Sequence, residues 1–311
     1  MPGQFISVSI EDILIGQPLP SSLYIYIDFR FITFRAGGDT IDRNTYDRLT
    51  VKNVKNLFVM DEEHKAFVDW VKRSKEQVKH LETAASQHLN EERVEVKRKI
   101  MDLFRSQHPD KQVAQVLESS KKMVDEVMKF PYAMQSLQQL QVYSRGTADH
   151  SINVSVLSTY LAMNMGYSHN LILQHVSAGG LLHDMGKMLV PVEDGENTET
   201  TEQKMKQHPL LGIQAIEQNA KVPNEVKMII AQHHENYDGT GFPKKLRGSA
   251  IYDLARIVAI ANAFDNLVTE APAGSMLDRQ KWALKEIDQV LFRKFDPIKL
   301  EKSIKILKLG L

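Results

Sequence analysis

Residues 61–105 contain neither glycine nor proline, and Glu, Lys, Gln, Val and Leu dominate them. These residue types favour helix. Apolar side chains recur at three and four, as in Phe67, Val68 and Val71, then Val78 and Leu81. The stretch therefore predicts one long, charged, amphipathic helix, which "SQHPDK" at 106–111 ends. Such a helix divides the chain. It reads as a connector or as a homodimer seam, although its heptads are irregular for a coiled coil.

The two sides of this helix differ in kind. Upstream, "LYIYIDFRFITF" at 23–34 is rich in Tyr, Ile and Phe, which suits a half-buried sheet. "RAGGDTID" follows as a turn, and "VKNLFVM" at 54–60 reads as a closing strand. Downstream nearly everything reads as helix, at roughly 111–129, 133–144, 148–165, 169–185, 208–219, 223–236, 251–270 and 277–292. "VPVEDGENTETTEQ" is expected to be a polar loop, and 237–250 a turn region. The fold class expected is mainly α. A strand-rich regulatory or interaction domain spans 1–60, a connecting helix 61–110 and a helical domain 111–311.

Composition narrows the chemistry. The sequence has no cysteine, so disulfides and thiolate sites are excluded, and any metal must be held by nitrogen and oxygen. Charged residues balance to a formal net charge of zero, which argues against a partner such as a nucleic-acid polymer. No segment is long and apolar enough to span a membrane. The first residues lack the pattern of a signal peptide, so a cytoplasmic location is expected.

Seven of the eleven histidines lie between 150 and 234. "GGLLHDMGKM" joins His183 and Asp184 to Lys187, which shares a helical face with them. A carboxylate there can bridge two ions, and a lysine can meet a phosphate oxygen. The alternative is a capped helix end. "TADHSINVSVL" carries His150, with Asp149 expected to cap the helix. His208 precedes a proline at a helix start, and His233 and His234 open "HHENYDGTGFP". His169 and His175 lack any carboxylate or glycine context and read as structural. Taken together, His150, His183, Asp184, His208, His233 and His234 are six candidate ligands from four separate helices, which a bundle core can bring to one di-metal site. Glu235 is expected to orient a ligand histidine.

The order of these motifs, with "HDMGK" and "HHENYDGTGFPKKLRGSAI", resembles the HD-GYP family of HD-domain metal phosphohydrolases over roughly residues 110–305. The resemblance implies a helical catalytic domain that hydrolyses cyclic di-GMP with a metal-bridging hydroxide. It implies two or three divalent ions, iron first and manganese next, and the imidazole and carboxylate ligation also suits zinc. The six ligands map onto the residues above, and Lys187 maps to the lysine that meets the substrate phosphate. Asp184 and Lys187 are then the catalytic pair. Asp238, Gly239, Gly241, Phe242 and Pro243 fall in the signature loop beside the substrate.

Four positions depart from the family pattern. Phe242 stands where the signature has tyrosine, so a hydroxyl is missing. "IANAFDNLVT" puts Asn262 where the family has an aspartate ligand, and Asp265 three residues later is the alternative. Gly146 stands where three-metal members carry glutamate, which favours two ions. "TEAPAGSM" replaces an arginine-bearing stretch that helps hold the nucleotide. Three readings follow: a working cyclic di-GMP phosphodiesterase; a weakly active or inactive module that binds the nucleotide or a signalling protein partner; and a phosphohydrolase with another substrate.

Overall fold

The computed structural model describes residues 4–309, except 15–16, 28, 42–44, 47, 50–51, 53, 107, 130–145 and 192–196. The helix expected at 133–144 lies outside the described residues. The chain divides into two compact units, 1–83 and 84–311.

The first unit holds a four-stranded antiparallel sheet in the order β1-β4-β2-β3. Its strands are β1 (Phe5–Ser9), β2 (Leu23–Ile27), β3 (Arg30–Arg35) and β4 (Asn56–Met60). The aromatic run at 23–34 is thus a hairpin, with Ile27 paired to Arg30 and Tyr26 to Phe31. β1 and β4 pair from Phe5↔Met60 to Ser9↔Asn56. Alternate residues point inward: Val8, Leu23, Leu57 and Val59 form a small core, which Phe67 joins from the following helix.

Helix α1 (Asp61–Arg105) runs unbroken for 45 residues, and three acidic residues occupy its first turn, where the helix dipole favours them. Its last part belongs to the second unit. There Val96, Ile100 and Leu103 are buried in the helical core.

The second unit is a bundle of α2 (Pro109–Lys129), α3 (Thr147–Asn164), α4 (Asn170–Leu182), α5 (Thr198–Met205), α6 (His208–Ile216), α7 (Asn224–Gln232), α8 (Asp253–Glu270), α9 (Met276–Gln289) and α10 (Pro297–Leu309). α3 is buried on every side, including Ser151, Asn153, Ser155, Ser158 and Thr159. These polar groups find partners within the core: Ser155 Oγ lies 2.9 Å from both Ser177 O and Ser177 Oγ. A helix buried all round is the centre of its bundle.

Three expectations need correction. Asp149 does not cap α3. Gly146 is the N-cap and makes no side-chain cap bond, while Asp149 pairs with Lys97 at 2.7 Å. The stretch read as a polar loop contains α5, whose start Asn197 caps by accepting from Thr200 N at 2.8 Å. The threonines that hid this helix have low helix propensity, and the cap and Thr201 Oγ1, donating to Asn197 O, compensate. Finally, the helix expected over 169–185 stops at Leu182, and a 3₁₀ turn, Met185–Leu189, follows.

Glycines allow the close packing that brings the histidine-bearing helices together. A Cβ on Gly180 of α4 would meet Ser155 Cα of α3 at 2.6 Å, and one on Gly186 of the 3₁₀ turn would meet His208 O of α6 at 1.9 Å. Both neighbours are backbone and cannot move aside as a flexible side chain can. Gly180→Ala is therefore expected to destabilise the fold by about 1–3 kcal/mol, as overpacking does. That lowers the melting temperature by roughly 2–4 °C per kcal/mol. Thermal melts followed by circular dichroism check this, and an unchanged melting temperature would contradict the packing.

Candidate metal centre

His183 caps the C-terminus of α4, and Asp184 opens the 3₁₀ turn. This junction turns both side chains inward, and both are fully buried. His208 begins α6 with Pro209 behind it, His233 caps α7, and His150 lies in the first turn of α3. All six residues expected as ligands come together. His150, His183 and Asp184 form one group. Asp184, His208, His233 and His234 form another, with the ligand atoms of each group within 4.8 Å of one another. Asp184 belongs to both.

Its two carboxylate oxygens face different groups. Oδ2 lies 3.3 Å from His183 Nε2 and 3.7 Å from His150 Nε2. Oδ1 lies 3.3 Å from His208 Nε2 and 3.9 Å from His233 Nε2.

The tautomers follow from the other ring nitrogens. His183 Nδ1 lies 2.8 Å from Gly180 O, His208 Nδ1 2.7 Å from Met205 O, and His233 Nδ1 2.8 Å from Ile230 O. A carbonyl only accepts, so each Nδ1 carries the proton, and in the neutral ring Nε2 carries a lone pair. His150 Nδ1 meets Asp265 Oδ2 at 2.7 Å in the same sense. Two pairs of lone-pair nitrogens then face each other, His150–His183 at 3.2 Å and His208–His233 at 3.1 Å. With neutral rings, neither pair has a proton to share. Asp184 Oδ1, also buried, has no hydrogen-bond donor. Electron pairs converging without a proton are what a cation satisfies, and imidazole with carboxylate suits iron, manganese or zinc. The residues present fit a divalent metal.

The electrostatics agree. Burial pushes His183 below its ordinary value, and His233 well below. Burial followed by repulsion from His208 lowers His234 to about 3. These imidazoles are neutral at physiological pH, the form that binds metal. Burial alone would raise Asp184, but its neighbours, with Lys187 Nζ donating to Oδ2, outweigh it and hold the carboxyl well below the usual range.

The remaining expected residues take separate places. Lys187 Nζ donates to Asp184 Oδ2 at 2.6 Å and lines a cleft of about 520 Å³ with Thr198, Thr201, Lys206, His208 and Phe242. Phe242 stacks on His234, with ring centroids 4.6 Å apart and planes at 18°. Asp238 closes its own turn by accepting from Thr240 N and Oγ1. Gly239 takes φ +84°. A Cβ on Gly241 would meet Asn236 N at 2.2 Å, and Pro243 follows Phe242 through a cis bond. Asp265 sits behind His150 and also accepts from Asn153 Nδ2 at 2.9 Å. Asn262 is buried and accepts from Asn266.

Glu235 does not orient a histidine. Its carboxylate accepts Lys244 N at 2.7 Å and Leu246 N at 2.8 Å, because the signature loop brings two backbone donors to it. It anchors the loop that carries Phe242. Sequence reasoning missed Asn153, whose position three after His150 was a usable signal. It also missed α5 as a wall of the cleft.

The family described as the HD domain matches residues 107–298, which include every residue of the cluster. Among curated proteins, the cyclic di-GMP phosphodiesterase response regulator RpfG of Xanthomonas campestris is 32% identical over 161 residues, 49% of this chain and 41% of that protein. The 3'3'-cGAMP-specific phosphodiesterase 1 of Vibrio cholerae is 31% identical over 164 residues, 49% of this chain and 36% of that protein. The chain spans under half the length of these relatives. Among solved structures, Bd1817, an HDG"Y"P protein from Bdellovibrio bacteriovorus, has the same fold: the TM-score is 0.61 over 98% of this chain and 100% of that one, at 22% identity.

The buried histidines set a pH dependence. Their folded values lie below the unfolded value near 6.5, so below that pH the unfolded chain binds more protons. Their stabilisation is complete above about 6.5 and is lost as pH falls, for His234 down to about 3. Asp184, lowered from 3.8, adds the same sign at more acid pH. The chelator-stripped protein is expected to lose roughly 1 kcal/mol per pH unit for each such histidine below 6.5. Melting curves from pH 8 to pH 5 test this, and a flat profile would contradict neutral buried imidazoles.

Proposed function

From the premise that the chain belongs to the HD domain family, we propose that it is a two-ion phosphodiesterase of the HD-GYP branch that hydrolyses cyclic di-GMP. The observation that carries this reading is the split of Asp184 between two histidine groups. His150, His183 and Asp184 would hold one ion, and Asp184, His208, His233 and His234 the other. When bound, such a pair neutralises phosphodiester charge and lowers the pKa of a shared water.

The chain's own residues do the rest. The fixed Nδ1–H tautomers keep Nε2 of His150, His183, His208 and His233 aimed inward. Lys187 holds Asp184 and, at the cleft wall, offers a cation to a non-bridging phosphate oxygen. Lys206 brings a second positive charge to the same cleft, and Thr198 and Thr201 bring hydroxyls. Phe242 offers an apolar ring against His234 but no hydroxyl. Iron is the first expectation for the metal because the resemblance to the HD-GYP family implies it; the nitrogen and oxygen donors suit manganese or zinc equally.

A second reading changes the substrate. Curated relatives of similar identity act on 3'3'-cGAMP, and the segment Ala271–Gly274 offers no charged side chain for a guanine or phosphate. Another cyclic dinucleotide is then the substrate.

Turnover of cyclic di-GMP and 3'3'-cGAMP by metal-replete protein separates the two. Asp184→Asn and His183→Ala are each expected to lower the rate at least a hundredfold, since removing a group that stabilises developing charge costs on the order of 10²–10³. Absence of hydrolysis of either compound, or variants as active as the parent, would contradict a phosphodiesterase.

A further inference from the structure

Arg93 lies in the part of α1 that packs on the helical bundle. It is buried, unusually for a charged residue. Its guanidinium is turned on an amide: Nη1 and Nη2 both donate to Asn153 Oδ1 at 3.2 Å. Asn153 Nδ2 donates to Asp265 Oδ1 at 2.9 Å. Asp265 Oδ2 receives His150 Nδ1 at 2.7 Å, and His150 Nε2 faces His183 and Asp184.

The direction of this chain is set by chemistry. A guanidinium has only donors, so the amide must turn its oxygen toward Arg93 and its nitrogen toward Asp265. The carboxylate then holds His150 in the Nδ1–H tautomer. A hydrogen-bonded carboxylate behind a ligand imidazole fixes the ring and raises the basicity of the ligating nitrogen. Arg93 remains a cation at neutral pH: burial lowers it to about 10, and Asp265 and Asp149 oppose the fall.

We propose that Arg93 is a positioning residue for the His150–His183–Asp184 subsite, acting through Asn153 and Asp265. One of the two ion-binding subsites thereby depends on the seating of α1. The inference rests on the two-ion reading above. A bland alternative is that Arg93 only docks α1 on the bundle. Lys97, one turn further along α1, supplies the control, because it also bonds α3, through Asp149 at the surface, and leads to no ligand.

Calorimetric titration of the chelator-stripped full chain with manganese distinguishes these. Wild type is expected to bind two ions. Arg93→Met is expected to weaken one subsite ten- to a hundredfold, the usual effect of losing a partner behind a ligand, and to leave the other as it was. Arg93→Lys restores part of the loss, and Lys97→Ala binds as wild type. Two unweakened subsites in Arg93→Met overturn the proposal. So does equal weakening of both subsites, or a loss in Lys97→Ala matching that in Arg93→Met. Should Arg93→Met fail to fold, Arg93→Lys decides: one weakened subsite supports the proposal, and two wild-type subsites overturn it. A wild-type chain that binds no manganese overturns the two-ion reading and this inference with it. Normal wild-type binding with unaffected variants overturns the inference alone.

Discussion

Unprotonated imidazole nitrogens packed around one buried carboxylate repel one another, and the helical unit is arranged around that tension. His183, His208 and His233 each commit Nδ1–H to a backbone carbonyl, and His150 commits its own to Asp265. The lone pairs left over all point toward Asp184. Removing a carboxylate from water costs several kcal/mol even after relaxation, and Lys187 is the ammonium bonded to it. A divalent cation, as proposed above, would supply the rest of the compensation, and burial, tautomer and geometry each support that reading.

The surroundings keep this arrangement from relaxing. α3 and α4 cross closely because Gly180 leaves room for Ser155, and the 3₁₀ turn meets α6 because Gly186 leaves room for His208. Each contact sets the distance between elements that carry ligands. Glu235 performs a similar service for the signature loop by tying Lys244 and Leu246, which holds Phe242 against His234. The Arg93–Asn153–Asp265 chain does so for His150. The supports of the cluster are close backbone contacts and hydrogen-bonded side chains.

Much of this was legible in the sequence. The unbroken helix 61–105, the strands before it and most of the helices after it followed from propensity and from the placing of glycine and proline, although α10 was not among the helices expected. The six candidate ligands stood out because histidine and aspartate recur at helix ends in one order. Other features were hidden for physical reasons. α5 depends on an asparagine cap that outweighs its threonines. Asp149 looked like a cap but sits inside the first turn, where Lys97 reaches it. Glu235 follows the histidine pair directly, yet the loop folds two backbone amides onto it. Arg93 was one charge among many on a charged helix, and only burial singles it out.

The most direct test of the account is anomalous diffraction from crystals of the metal-loaded protein, recorded at the absorption edge of the bound element. The account predicts two peaks on either side of the Asp184 carboxylate, roughly 3.5–4 Å apart as in two-metal hydrolases. His150 and His183 should lie on one peak, and His208, His233 and His234 on the other. A single peak not shared by Asp184, or no peak within the histidine cluster, would contradict it.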